Sequence, residues 1–184
     1  MATPVLRQRL SVADYERLFE AGIFGDDAHV ELVAGEIIEM SPIGPGHATT
    51  VRTLEELAHD SVGRRATVSI QSPIRIEPDS EPEPDVAILH RRSYREAHPT
   101  PADVLLVIEV ADSSRLRDRR KKLPVYAAAG IAETWLVDLV SETIERHTEP
   151  RDGRYQHVAT ARRGESLTST VLPEITLAVD TVLW

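Results

Sequence analysis

The most constraining feature of this sequence is a near-continuous apolar run at residues 104–110, interrupted by one carboxylate at Glu109. Such a run is typical of a central strand that is covered on both faces of its sheet. The next segment, 114–129, has helical character and ends at Gly130, and a second β-rich run occupies residues 134–139. A strand, a helix and a strand in succession predict a crossover between two parallel neighbours. The chain is therefore expected to fold as an α/β protein.

The other elements are predicted from capping residues, periodicity and turn signals. The first are a helix capped by Ser11 and Asp14, a hairpin of strands 30–33 and 36–40, and a helix from His47 to Gly63. A strand is predicted at 66–77, with Val68, Ile70, Ile74 and Ile76 on one face and an irregularity at Pro73. A strand from Asp85, an edge hairpin at 143–148 and 155–161, and a closing segment from residue 169 complete the prediction. No internal repeat or linker divides the 184 residues, so residues 1–184 are expected to form one domain.

The composition excludes several classes of function. Because the chain contains no cysteine, disulfides, thiolate zinc sites and cysteine nucleophiles are ruled out. No apolar run approaches the roughly 20 residues of a membrane helix, and residues 1–7 lack the apolar core of a signal peptide. We therefore expect a cytoplasmic protein without membrane contact. The formal net charge of −9 opposes a broad surface that coats nucleic acid.

The candidate chemistry rests on carboxylates, because the sequence has no phosphate-binding loop, no His-Glu-x-x-His and no Gly-x-Ser-x-Gly motif. Asp85 opens a strand and Glu109 lies late in the apolar strand, so the two acids can meet at one end of a sheet. A carboxylate in so apolar a run needs a cation or hydrogen-bond donors. Asp85, Glu109 and the carbonyl of Val110 offer the oxygen ligands that Mg²⁺ takes. The alternatives are that Asp85 caps a strand and that Glu109 pairs with an arginine.

A basic segment follows the apolar strand. Residues 112–122 carry six basic and two acidic side chains, a local charge of +4, and are expected to face phosphate. On a helix, Asp118, Lys122 and Tyr126 share one stripe, although Pro124 interrupts it. Lys121 and Lys122 are the only lysines in the sequence. The alternative is that the segment is a solvated helix face and Lys122 a solvated residue.

Several blocks together resemble the Uma-two endonuclease family, which is itself similar to the PD-(D/E)XK restriction-endonuclease superfamily. They are residues 31–36 (ELVAGE), 84–86 (PDV), 107–110 (VIEV), Asp118 with Lys122 and Tyr126, and 130–138 (GIAETWLVD). The resemblance covers most of the chain and implies a mixed sheet flanked by helices, with Asp85 and Glu109 as metal ligands and Glu31 close to them. Ala111 stands where the parent motif has a lysine, and the resemblance implies that Lys122 takes its place.

The expected function is metal-dependent hydrolysis of phosphodiester bonds in nucleic acid. Asp85 and Glu109 would hold Mg²⁺ or Mn²⁺, Lys122 would orient or activate the attacking water, and Glu31 would shape a second metal position or a water network. Tyr126 and His47 are expected to be supporting residues at most. The partner is expected to be DNA, bound weakly without help, and the active form a homodimer because both strands of a duplex must be cut.

Two other functions remain open on the sequence alone. The first is a catalytically weak or inert nuclease-fold protein that acts as a homo-oligomeric or partner-binding module, which Ala111 and the acidic charge favour. The second is a metal-dependent hydrolase of small phosphate esters, which a negative surface tolerates better than duplex DNA. The carboxylates of Glu77, Asp79, Glu81 and Glu83 are expected to form an exposed acidic loop that weakens the approach of DNA.

Overall fold

The computed structural model describes residues 9–25, 28–40, 42–112 and 116–183, with the side chains of 116–120 outside that description. In chain order its helices and strands are α1 (Val12–Glu20), β1 (Val30–Val33), β2 (Glu36–Glu39), α2 (Pro45–Val62), β3 (Ala66–Ile70), β4 (Val86–His90), β5 (Val104–Ala111), α3 (Leu116–Ala128), β6 (Glu133–Asp138), β7 (Thr143–Arg151), β8 (Arg154–Ala161), β9 (Ser166–Thr168), β10 (Thr176–Ala178) and α4 (Val179–Val182).

A six-stranded mixed sheet forms the centre of the molecule, with the strand order β3-β4-β5-β6-β7-β8. β5 and β6 are parallel neighbours, with Val107 opposite Thr134, and α3 connects them. All the other pairs in this sheet are antiparallel. The predicted α/β fold with a crossover between parallel strands is confirmed, as is the edge hairpin formed by β7 and β8. Two small antiparallel pairs, β1 with β2 and β9 with β10, lie outside the main sheet.

Apolar side chains alternate between the two faces of the sheet, so the core has two layers. On one face, Ile88 and Ile108 pack with Leu54 of α2. On the other face, Leu89 and Val107 pack with side chains of the α3 segment, including Tyr126 and Ile131. β5 is thus buried on both sides, as its near-continuous apolar sequence predicts.

The strand predicted at 66–77 is shorter than the alternation of its residues indicated. β3 ends at Ile70, and the next residue, Gln71, has a positive φ of 43°. Val68 and Ile70 pack on the α2 face, whereas Ile74 and Ile76 are buried in the cluster on the α3 face. The prediction that all four share one face is wrong, because the chain crosses the end of the sheet between Ile70 and Ile74.

The first helix and the first hairpin agree with the sequence. Ser11 caps α1, and Asp14 completes a capping box with it. The β1–β2 turn is formed by Ala34 and Gly35, which have φ values of 50° and 76°, the left-handed pair that suits a two-residue hairpin. The N–H of Glu81 donates to the carbonyl of Leu32 over 2.7 Å, which joins β1 to the segment before β4.

This junction corrects the prediction of an exposed acidic loop at residues 77–83. Glu77 is exposed, but Glu81 is buried and Glu83 is half-buried. Because the main chain of the segment pairs with β1, Glu81 and part of Glu83 are withdrawn from solvent, whereas Glu77 stays exposed as predicted. Within the described part of the chain, no helix has the length and apolar character needed to cross a membrane.

Candidate functional site

Asp85 and Glu109 lie next to each other at one end of the main sheet. β4 and β5 are antiparallel, with Val86 opposite Ile108. The next pair toward this end of the sheet is Asp85 opposite Glu109. The N–H of Val110 donates to Asp85 Oδ2 over 2.8 Å. Both acids are almost fully buried, at 1% and 0% exposure. The structure therefore brings the two carboxylates together at one sheet end, and the contact it shows for Val110 is made by the N–H and not by the carbonyl named from the sequence.

Lys122 connects Glu31 with Glu109. Its Nζ lies 2.6 Å from Glu31 Oε2 and 3.3 Å from Glu109 Oε1, and it donates to the carbonyl of Glu83 over 3.1 Å. The side chain is 0% exposed, so the alternative that Lys122 is a solvated helix residue is wrong. Three acceptors surround an ammonium that has three N–H donors. Lys122, Glu31 and Glu109 therefore form one buried cluster, which the carbonyl of Glu83 completes.

Different parts of the chain supply this cluster. Glu31 comes from β1, and its Oε2 also accepts the N–H of Glu83 over 2.9 Å, so the hairpin is fixed to the segment before β4. Lys122 and Tyr126 lie one helical turn apart on the buried side of α3, although Pro124 lies between them. The third member of the predicted stripe, Asp118, has its side chain outside the described residues, as have most of the basic residues expected to face phosphate.

Two of the supporting residues contact the carboxylates directly. The hydroxyl of Tyr126 donates to Glu109 Oε1 over 2.7 Å. His47, the third residue of α2, is buried and has Nε2 at 3.2 Å from Asp85 Oδ1. The sequence analysis missed Gln71, whose amide donates to Asp85 Oδ1 over 3.4 Å. No local motif marks Gln71, because it reaches Asp85 only through the turn that follows β3.

Several carboxylates lie close together at the site. Among the described side chains, those of Glu31 and Glu109 both contact the ammonium of Lys122, and Asp85 lies opposite Glu109. Burial, followed by the charge of Glu31, raises the pKa of the nearby Glu83 carboxyl above its ordinary value. Burial and the charges of the neighbouring glutamates also raise the pKa of the Tyr15 hydroxyl. The charges of these carboxylates therefore act on the titratable groups next to them, in addition to the effect of burial.

The donor chemistry fits a hard divalent cation. Asp85 and Glu109 offer carboxylate oxygens side by side, and Mg²⁺ is typically held by one or two carboxylates, with waters and substrate oxygens completing its shell. Among the described residues, no three His, Asp or Glu side chains form a ready-made metal centre. Asp85 and Glu109 are the described side chains that could hold such an ion.

A mixed sheet flanked by helices, with two acids at adjacent strand ends and a lysine beside them, defines a restriction-endonuclease-like α/β protein. Residues 12–180 match the Uma2 family, described as "putative restriction endonuclease", and the chain belongs to this family. The resemblance predicted from the sequence is confirmed, and family membership supports a nuclease-like function.

A solved structure shows the same fold. It is the crystal structure of a "putative nuclease belonging to DUF820" from Anabaena variabilis ATCC 29413, which superimposes with a TM-score of 0.75 at 14% sequence identity. The match covers 94% of this chain and 97% of that one. At this identity the likeness establishes the architecture alone. A search of curated proteins gave no significant match.

Proposed function

We propose that this protein is a metal-dependent endonuclease that hydrolyses phosphodiester bonds of nucleic acid at the cluster of Asp85, Glu109, Lys122 and Glu31. The observation that carries the proposal is the fully buried Lys122, whose ammonium lies 3.3 Å from Glu109 and 2.6 Å from Glu31. Two acids and an amine at one sheet end supply what phosphodiester hydrolysis requires, namely oxygen ligands for a metal and positive charge near the phosphate.

Asp85 and Glu109, with the carbonyl of Val110, are the proposed holders of Mg²⁺ or Mn²⁺. When bound, such an ion neutralises charge on the phosphoryl oxygens and activates water. The Val110 N–H fixes one oxygen of Asp85, and the Tyr126 hydroxyl fixes one oxygen of Glu109. These two bonds orient the carboxylates before any ligand arrives, which lowers the cost of binding a metal.

We assign Lys122 two tasks, positioning the acids and supplying positive charge. Because its three N–H groups face three acceptors, it can orient a water only by giving up one of them. The longest of the three contacts is the one to Glu109, at 3.3 Å, so this is the contact that Lys122 would give up in order to donate to a water. Glu31 then acts as a positioning residue that holds Lys122 in place.

Nicking of supercoiled plasmid DNA tests the proposal. The wild type is expected to nick DNA with Mg²⁺ or Mn²⁺ and to stop when EDTA removes the metal. Asp85→Asn, Glu109→Gln and Lys122→Met should each lower the rate about a hundredfold or more. Asp152→Asn, in the exposed turn between β7 and β8, is the control that should leave the rate unchanged. Activity that survives all three site substitutions would come from a contaminant and would overturn the proposal.

The substrate and the assembly belong to the same proposal. DNA is the proposed substrate, and two copies are proposed to act together because each chain offers one site for a duplex of two strands. Light scattering should then give twice the 20.4 kDa chain mass. A small phosphodiester should compete poorly with DNA, whereas strong competition would favour a hydrolase of small phosphate esters.

One observation favours a second candidate, a non-catalytic module that keeps the fold for oligomer or partner contacts. Glu109 and Lys122 are both 0% exposed, and their charged groups lie 3.3 Å apart, as in a structural ion pair. This candidate predicts no nicking with either metal while the site substitutions still lower the free energy of unfolding. The plasmid assay, combined with denaturant unfolding of the same variants, separates the two candidates.

A further inference from the structure

His47 has a buried ring whose two nitrogens make no hydrogen bond with the described residues around it. The side chain is 0% exposed, and within the described part of the chain neither ring nitrogen has a hydrogen-bond partner. Nε2 does lie 3.2 Å from Asp85 Oδ1, but without the angles of a hydrogen bond. Buried polar atoms are rarely left unbonded, because each one costs about 1–3 kcal/mol. A ligand at this position would remove that cost.

The separation of the two atoms indicates what kind of ligand fits. Adjacent ligands on an octahedral ion with bonds of about 2.1 Å lie roughly 3.0 Å apart. The 3.2 Å between His47 Nε2 and Asp85 Oδ1 is close to this spacing. The second oxygen of Asp85 accepts a hydrogen bond from the Val110 N–H. This bond fixes the orientation of the carboxylate, and therefore the position of Oδ1 relative to the imidazole. His47 itself lies in the first turn of an 18-residue helix whose inner side is buried.

We propose that His47 is a direct ligand of the divalent cation that Asp85 holds, and that this imidazole shifts the preference of the site from Mg²⁺ toward Mn²⁺. The inference rests on the metal site proposed above and adds a nitrogen ligand to it. Imidazole suits first-row transition ions, whereas Mg²⁺ prefers an all-oxygen shell. Among the described residues, Glu109 does not form a ready-made three-ligand group with His47 and Asp85. His47 and Asp85 would therefore bind the ion first. Glu109 would join them after a small movement of its side chain, and the Val110 carbonyl and water would supply the remaining ligands.

Electron paramagnetic resonance of bound Mn²⁺ tests this inference without any nuclease assay. Titration of the full chain with Mn²⁺ gives the affinity from the loss of the free-ion signal, and pulsed measurements detect a nitrogen nucleus bound to the ion. The wild type should show nitrogen coupling, which should change when histidine alone is labelled with ¹⁵N. This labelling needs no substitution, so the test does not depend on a variant that folds.

The variants then assign the coupling to one histidine. His47→Gln should lose the nitrogen coupling and weaken Mn²⁺ at least about tenfold, since even the loss of an outer partner of a metal ligand costs that much. Mg²⁺, measured by its competition with Mn²⁺, should weaken less. His59→Gln is the matched control, because His59 lies on the same helix with an exposed side chain. It should change neither quantity.

The failures of the two proposals are distinguishable. If the wild type binds Mn²⁺ and Asp85→Asn abolishes binding, but no histidine nitrogen couples to the ion, the metal site stands and His47 is not its ligand. Coupling that persists in His47→Gln would also overturn the assignment. If the wild type binds no Mn²⁺ at millimolar concentration, the metal site of the proposed function fails, and the inference about His47 fails with it.

Discussion

At the scale of single residues, the site is organised around one buried ammonium. Lys122 is the largest charged side chain that the described core contains, and it lies among Glu31, Glu109 and the carbonyl of Glu83. A buried ion pair gives little net stability relative to an apolar core, but removing one partner leaves an uncompensated charge behind. The cluster therefore makes the position of α3 depend on both the hairpin and β5.

Lys122→Met should lower the free energy of unfolding by about 3–5 kcal/mol, because it leaves Glu31 and Glu109 buried without their cation. Equilibrium denaturation in urea measures the change. Lys121→Met is the matched control on the preceding, exposed residue, and it should stay within about 0.5 kcal/mol of the wild type. Adding Glu31→Gln to Lys122→Met should restore part of the loss, since it removes one of the stranded charges. Equal effects of the two lysine substitutions would contradict this account.

At the scale of elements, the β1–β2 hairpin is the part that carries Glu31 into the site. Its turn is closed by Gly35, with a φ of 76°, and the segment before α1 passes directly over it. The N–H of Leu10 donates to the carbonyl of Gly35, and the N–H of Gly35 donates to the carbonyl of Asp79. Gly35 therefore combines a left-handed conformation with a close backbone approach, and both requirements favour glycine.

Gly35→Ala should destabilise the protein more than Gly153→Ala, which serves as its control in the β7–β8 turn. Both glycines have a positive φ, at 76° and 70°, so both substitutions incur about 1–2 kcal/mol of backbone strain. Only at Gly35 would the added Cβ meet an obstacle, Arg9 Cβ at 2.5 Å, whereas at Gly153 the nearest atom is 3.8 Å away. The clash should add about 1–3 kcal/mol. Unfolding by denaturant checks this ranking, and equal losses would exclude the steric contribution.

At the scale of the whole molecule, charge decides how a nucleic acid can approach. The chain carries a net charge of −9, and Glu31, Asp85 and Glu109 concentrate part of it at the site. Phosphate and carboxylate repel each other, so affinity for DNA depends on cations placed between them. A divalent ion therefore serves as a bridge to the substrate as well as a catalyst in the proposed function.

In metal-free buffer, the double variant Asp85→Asn/Glu109→Gln should bind a labelled duplex at least as tightly as the wild type, because two negative charges are removed, from −9 to −7. Ca²⁺ should strengthen binding by the wild type but not by this double variant. The control Glu149→Gln/Asp152→Asn makes the same change in net charge at the exposed β7–β8 hairpin and should keep the Ca²⁺ response. Fluorescence anisotropy at fixed low salt gives the affinities. A double variant that still responds to Ca²⁺ would place the bridging ion elsewhere.

Local patterns were enough to predict most of the elements. The apolar run of β5, the cap at Ser11 and the turn at Gly35 are each read from a few neighbouring residues, and the crossover rule then makes β5 and β6 parallel. The alternation that continues past Ile70 was misleading, because it cannot show that the chain changes faces at Gln71. The acidic segment was misread for a similar reason, since its pairing with β1 is a contact between residues far apart in sequence.

The candidate site, too, could be predicted from the sequence only in part. Asp85 and Glu109 could be selected from the sequence because a carboxylate in an apolar strand is costly, and Lys122 because its family pattern and its rarity single it out. The contacts among Lys122, Glu31 and Glu83, and the placement of His47 and Gln71 beside Asp85, depend on how α2, α3 and the hairpin pack at the sheet end.

The sequence by itself determined most of the helices and strands and the parallel crossover at the centre, because these follow from local propensity. Its motifs identified the family, and the cost of burying charge singled out Asp85 and Glu109. Only the tertiary structure decided which groups compensate those acids and which buried ring beside them is left unbonded. The physical reason is that hydrogen bonds and ion pairs act over about 3 Å, a separation that residues distant in the chain reach only when the elements carrying them are packed.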